Sequence, residues 1–256
     1  MRRFFLIFSL VSIYCFNGLA QFTPPGLGKA KTASWFAIGV KQKLNEKGTI
    51  SSATHLGLGR ISDPDNYNLF QKQSIYVLNE EISHRFKEHW AYSIALSYRW
   101  QNRYKGTEPY ELDDPNARQE IRAYGRLSYL VTFKKMDFAI DFRPEYRRFY
   151  DPDFSSATEN TQFRSRFRGK MTIGLNSTRT DKLITTAEFL FSTTKTGSWS
   201  AFKYKETRLC LYYSHTVPKL KTTFNLGYMN NILGTSSITG VHYLAFDIAI
   251  KNIFGT

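Results

Sequence analysis

The chain has 256 residues, a formal net charge of +14, 42% hydrophobic and 16% aromatic residues, and a mean hydropathy of −0.39. Apart from its first residues it has no apolar run near the roughly 20 residues a membrane helix needs, and its 21 Phe, 16 Tyr and 4 Trp exclude a disordered polymer. Its 2 Cys cannot build a disulfide framework. One large basic domain remains.

Residues 1–20 read as a secretory signal peptide. Arg2 and Arg3 form the basic start, Phe4 to Phe16 the apolar stretch, and Gly18-Leu19-Ala20 a small-residue cleavage site before Gln21. The apolar stretch is too short for a membrane anchor. Cys15 falls in the removed segment, which leaves Cys210 as the one cysteine of the mature chain. Residues 21–33 form an N-terminal extended segment, and Pro24-Pro25-Gly26 makes it a poor strand. Residues 34–256 form the domain itself.

From there the dominant period is two. Eleven alternating segments are predicted, at about 34–44, 49–61, 70–86, 90–104, 117–133, 136–150, 160–176, 182–194, 200–216, 220–232 and 238–254. In the fourth, Trp90, Tyr92, Ile94, Leu96, Tyr98 and Trp100 share one face, while Arg99 and Arg103 take the other. In the fifth, Arg118, Glu120, Arg122, Tyr124 and Arg126 oppose Ile121, Ala123, Leu127, Tyr129 and Val131. The sixth sets Asp141, Arg143, Glu145 and Arg147 against Phe138, Ile140, Phe142 and Tyr146. The seventh sets Arg164, Arg166 and Arg168 against Phe163, Phe167 and Met171. Glu188 and Glu206 continue the polar faces. No segment has a convincing amphipathic helical pattern. Tight links follow the odd-numbered segments; longer polar ones, 62–69, 105–116 and 151–159, follow even-numbered ones.

A soluble sandwich cannot bury such arginine rows, because each unpaired buried charge costs several kcal/mol. Two different surroundings explain both faces: lipid on the apolar side and an enclosed polar lumen on the other. Lipid also demands closure, since no water satisfies an open strand edge. The expectation is an all-β, antiparallel up-and-down transmembrane β-barrel in the bacterial outer membrane, with short periplasmic turns and longer extracellular loops. A secreted soluble β-protein with a basic face is the alternative. Strand parity is awkward, because an even-numbered barrel needs one more strand or a threaded segment before Ser34, unless the first hairpin is extracellular and short. Twelve strands are expected, with ten as the fallback.

Trp35, Gln71-Lys72-Gln73, Tyr98-Arg99, Arg118-Gln119-Glu120-Ile121-Arg122 and Arg164-Ser165-Arg166-Phe167-Arg168 carry a resemblance. On these the chain resembles the uncharacterised outer-membrane barrels of Gram-negative bacteria grouped as the DUF2490-like proteins. The resemblance implies an outer-membrane barrel without an established activity, and it supplies no catalytic residues. Phe254 is followed by Gly255-Thr256, whereas many such barrels end on the aromatic that the assembly machinery reads.

No catalytic, metal or cofactor site is expected. Outer-membrane lipid hydrolases resemble one another in placing His and Ser two apart, on one strand face. Here His55, His84, His89, His215 and His242 are followed at that spacing by Gly57, Phe86, Ala91, Val217 and Leu244. These histidines read as interface or girdle residues, so no enzyme is expected. The loop carboxylates Asp63, Asp65, Asp113, Asp114, Asp151 and Asp153 read as turn chemistry rather than as Ca²⁺ ligands. Nucleic acid is not an expected partner, because the arginines point inward. The expected partners are outer-membrane lipid, the assembly machinery during insertion, and a small anionic solute. The candidate site is a lumen charge ladder: Arg99, Arg103, Arg118, Glu120, Arg122, Arg126, Asp141, Arg143, Glu145, Arg147, Arg164, Arg166, Arg168, Glu188 and Glu206. It either plugs a narrow barrel with ion pairs or favours anions in a small pore. A structural or interaction role at the cell surface is the alternative, and a lipid-modifying enzyme ranks behind it.

Overall fold

The computed structural model describes residues 23–27, 30–234 and 238–254. The predicted signal peptide with Cys15, and the terminal Gly255-Thr256, lie outside them.

Strict alternation along the chain dictates strands, because successive side chains leave a pleated backbone on opposite faces. The strands are β1 (Thr32–Lys43), β2 (Ile50–Ile61), β3 (Lys72–Arg85), β4 (Trp90–Tyr104), β5 (Leu112–Phe133), β6 (Met136–Tyr150), β7 (Ser156–Gly174), β8 (Asp181–Thr196), β9 (Ser198–Trp199), β10 (Lys203–Val217), β11 (Thr222–Leu233) and β12 (Thr239–Lys251). β9 pairs only with the end of β8, and the other eleven strands close a barrel. They coincide with the eleven predicted segments, and no α-helix occurs among the described residues.

The expected count of twelve is corrected to eleven, and the closure differs in kind. Neighbours pair antiparallel in chain order, with β8 meeting β10 directly. β1 then pairs with β12 in parallel, from Thr32 opposite His242 to Lys41 opposite Lys251. An odd number of up-and-down strands leaves the first and last running the same way. A parallel ladder still satisfies their backbone groups, so closure does not demand an even count.

The tight turns between β1 and β2, β3 and β4, β5 and β6, β7 and β8, and β10 and β11 gather at one end. The longer connections gather at the other, the loop end. Two of the loops are shorter than predicted, because β5 begins at Leu112 and β7 at Ser156. Two loop carboxylates are tied to local donors: Asp63, between β2 and β3, accepts from Gln71 and Lys72, and Asp153, between β6 and β7, accepts the Ser155 backbone N–H at 2.9 Å.

Side chains fill the interior, and its two walls differ. The wall of β10–β12 and β1–β3 is largely apolar, with Trp35, Ile75, Val77, Cys210, Tyr212, Met229, Val241 and Tyr243 buried. The facing wall carries most of the charges, joined by Glu81 of β3 and by Glu206 and Arg208 of β10. Residues 23–27 lie between the two. Leu27 packs into the apolar cluster, its N–H donates to the Tyr243 hydroxyl at 2.9 Å, and the Pro24 carbonyl accepts from Arg208 at 3.2 Å. The parity problem is thus met by a threaded segment rather than by a further strand. Outward faces show the opposite chemistry, with Ile140 68%, Ile94 63% and Leu96 60% exposed.

His55 departs from the expected girdle role. It is buried, and its ring lies over the inward-facing Gly39. The other four histidines are exposed or, for His84, half-buried beside aromatic rings or polar groups, as in His84 with Tyr92 and His242 with Tyr228.

Tyr212 stands opposite Gly227 across the β10–β11 ladder. A Cβ at Gly227 would meet the Tyr212 ring at 2.0 Å. Gly227→Val is therefore expected to destabilise the fold by about 1–3 kcal/mol through overpacking, and Tyr212→Ala by about 3–5 kcal/mol through the cavity it leaves. In the double variant the valine occupies part of that cavity. Denaturant midpoints of the three variants check this: the double variant should lose less than the two single losses combined, and strict additivity would refute the ring-over-glycine packing.

Candidate functional site

The charged wall is built by register. Inward positions on β4–β8 and β10 bring together side chains that are distant in the sequence. Arg99 stands opposite Glu120, Asp141 opposite Arg168 and Glu145 opposite Arg164, and Glu188 opposite Arg208. Two like-charged pairs also face each other, Arg122 with Arg147 and Arg143 with Arg166. Such an opposition is unfavourable by itself. Here each guanidinium reaches along the barrel to a carboxylate instead.

The result is an alternating chain of charges. Glu120 binds Arg147 through both oxygens, at 2.9 and 2.6 Å, and accepts from Arg122 at 2.6 Å. Arg122 continues to Glu145 at 3.1 Å. Glu145 also meets Arg143 at 2.8 Å and Arg166 at 3.0 Å. Arg166 bridges to Glu188, and Arg208 links Glu188 at 3.8 Å to Glu206 at 2.5 Å. Arg164 ends the chain 3.6 Å from Glu206.

A smaller cluster lies toward the tight-turn end. Arg126 pairs with Glu81 at 3.1 Å, which also accepts from Ser93 at 2.6 Å and Tyr124 at 3.0 Å. Arg168 pairs with Asp141 at 2.5 Å. The Arg143 guanidinium covers the Tyr124 ring at 3.5 Å, a cation–π contact worth more when desolvated.

Of the fifteen predicted ladder residues, twelve belong to these two clusters. Arg103 does not; it is exposed at the loop-end rim and pairs with Asp113 at 3.1 Å. Arg99 and Arg118 face inward without a carboxylate in ion-pair contact among the described residues. Arg118 lies over the Phe149 ring at 4.4 Å.

Sequence reasoning missed Glu81 and Arg208. Arg208 was legible, since Glu206-Arg208-Cys210 alternates with Thr207-Leu209-Leu211. Glu81 was not, because the stretch of β3 before it is apolar on both faces, Ile75 and Val77 inward, Tyr76 and Leu78 outward, and the adjacent Glu80-Glu81 puts a carboxylate on each face. In this network eight arginines share six carboxylates, and Arg99 and Arg118 bring the inward arginines to ten.

The interior offers no wide path where the threaded segment meets the charged wall. The gap lined by Thr23, Pro25, Arg126, Arg143 and Arg168 measures about 20 Å³, about enough for one water. Toward the loop end the barrel widens into two cavities. One of about 530 Å³ is lined by Asp63, Lys72, Tyr104, Tyr110 and Arg118. The other, of about 440 Å³, has six arginines in its lining.

Glu145 is the hub, 1% exposed and shared by three guanidiniums. Glu145→Gln keeps the shape and removes the charge that holds them. Leaving a buried charge uncompensated costs about 3–5 kcal/mol, so a loss of that size is expected in a denaturant titration. Arg103→Gln, which breaks an exposed pair, should cost no more than about 1 kcal/mol. Equal losses in the two variants would contradict the hub role of Glu145.

The family described as "Protein of unknown function (DUF2490)" matches residues 32–241, a span from the first barrel strand into the last. No curated protein matches the sequence.

Proposed function

We propose that this chain, which belongs to the DUF2490 family, is an integral outer-membrane barrel without a through-path. Its interior is closed by ion pairs and by its own N-terminal segment, and it acts through the loop-end cavities rather than by conduction. The observation that carries this reading is the inversion of the usual soluble pattern. Large apolar side chains cover the outward faces of every wall, while one side of the interior is filled with guanidiniums and carboxylates. A contiguous apolar surface of this extent requires a partner that covers it, and lipid is one that covers the whole circumference.

The dimensions support it. The shortest barrel strands have 12 residues, about 40 Å of chain and about 28 Å of height at a tilt near 45°. That matches a hydrocarbon core. Aliphatic residues such as Ile94, Leu96 and Leu226 lie near mid-height. Aromatic pairs lie toward the ends: Trp90 with Tyr129 at 4.9 Å near the tight turns, and Phe163 with Phe202 at 6.5 Å near the loops. This is the arrangement of interfacial girdles. On this reading the N-terminal leader exports the chain, the tight turns are periplasmic and the cavities open to the outside. No reaction is assigned to it.

The competing reading, a narrow anion-preferring pore, draws on the surplus of arginine over carboxylate. The filled interior favours the closed barrel. Planar-bilayer recording of the refolded protein separates them: no discrete conductance steps are expected, and reproducible anion-selective steps would establish the pore.

The lipid reading has its own test. Leu96→Arg places a charge at mid-height on the outward face. In a bilayer this should cost about 2–4 kcal/mol, measured as folding stability in liposomes. On a soluble barrel the same change would stay within about 0.5 kcal/mol, and that result, with protein remaining dissolved in detergent-free buffer, would overturn the membrane assignment.

A further inference from the structure

The surplus of positive charge is concentrated in one place. The cavity of about 440 Å³ opens at the loop end, between Glu159 of β7, Thr194 of β8, Lys205 of β10 and Leu233 of β11. Its walls and floor present Arg99, Arg118, Arg122, Arg147, Arg164 and Arg208. Among its lining residues the acids are Glu206 and, at the exposed mouth, Glu159.

The neighbouring carboxylates are already engaged. Glu120 is held by Arg147 through two bonds and by Arg122. Glu206 is bonded to Arg208 at 2.5 Å and to Asn231 at 3.0 Å, so Arg164 approaches it only at 3.6 Å. Arg99 is 9% exposed, and its Nε has no hydrogen-bond partner. The Arg164 Nε is likewise buried without one. Arg118 has the Phe149 ring beneath it and no carboxylate in contact among the described residues.

A guanidinium does not shed its proton to escape burial. Arg99, Arg118 and Arg164 come from three different strands, β4, β5 and β7, to one cavity whose buried acid, Glu206, is already engaged, and whose other acid, Glu159, lies at the exposed mouth. A cluster of this kind is completed by negative charge from outside the chain. Planar guanidiniums present parallel N–H groups that match the oxygens of a phosphate or carboxylate, and the volume is in the range of small-molecule sites.

We propose that this cavity binds a small soluble oxyanion with two or more negative charges, held by Arg99, Arg118 and Arg164. The inference rests on the closed-barrel reading above, because a closed floor makes the cavity a binding site rather than the mouth of a channel. The lining residues are inward ones, which directs the proposal to a free solute and not to the headgroups of surrounding lipid.

The test is isothermal titration of the folded full chain with inorganic pyrophosphate and with citrate, against sodium chloride at matched ionic strength. Saturable binding of at least one oxyanion is expected, with none for chloride. Arg99→Gln combined with Arg118→Gln should weaken it by about tenfold or more, the loss expected when charge-assisted hydrogen bonds are removed. Arg103→Gln, at the exposed rim, should leave it unchanged.

The double variant removes two cations that lack a carboxylate, so it should unfold at the same denaturant concentration as the parent or a higher one. Pyrophosphate should raise the midpoint of the parent but not that of the variant. Absence of oxyanion binding, equal response to chloride, or full affinity in the folded double variant would each sink the site. The titration uses the folded chain in whichever medium keeps it dispersed, so its failure is distinct from failure in the bilayer and liposome experiments, which address the closed membrane barrel itself.

Discussion

A guanidinium inside a barrel must meet negative charge, and this requirement organises the structure more than any other. The charged wall carries ten arginines on inward positions, most of them fully or largely buried. Each ion is costly to desolvate, and only close pairing with good geometry returns that cost. The alternating chain from Arg147 through Glu120, Arg122, Glu145, Arg166, Glu188 and Arg208 to Glu206 is the solution adopted. It ties five strands, β5 to β8 and β10, through their side chains as well as their backbones. A slip of one residue in any of these strands would turn its inward charges outward and its outward apolar side chains inward. The ion pairs and the apolar outer faces therefore enforce the same register.

The interior is not uniformly ionic. The wall around the closing β1–β12 pair is packed with Trp35, Tyr212, Tyr243 and aliphatic residues, and its glycines make room for rings, as Gly227 does for Tyr212. The threaded segment suits this division. Leu27 faces the apolar wall and the Pro24 carbonyl faces Arg208. Prolines serve well there, because each lacks a backbone N–H that a strand-free segment would otherwise leave to be satisfied. What the interior leaves open lies at the loop end, where the arginines outnumber the available carboxylates.

Much of this was legible without coordinates. The alternation in Arg118–Phe133 or Gln162–Leu175 locates a strand, states which face is charged, and holds whatever the neighbouring strands are. The eleven segments found in this way are the eleven barrel strands. Other features resisted. Glu81 hid beside Glu80 in a strand whose first half is apolar on both faces, His55 read as an interface or girdle residue until Gly39 appeared beneath its ring, and Pro24-Pro25 marked a poor strand without saying where a non-strand segment would go.

Side-chain alternation is a property of local backbone geometry, so the sequence by itself determined the all-β class, the strands and the inward direction of the arginines. Closure by a parallel β1–β12 pair, the choice of Glu145 as the shared carboxylate, and the seating of residues 23–27 inside the barrel were decided only by the tertiary structure. Each depends on how far one strand slides against another. That offset arises from contacts between residues tens to hundreds of positions apart, and parity within a single strand carries no information about it.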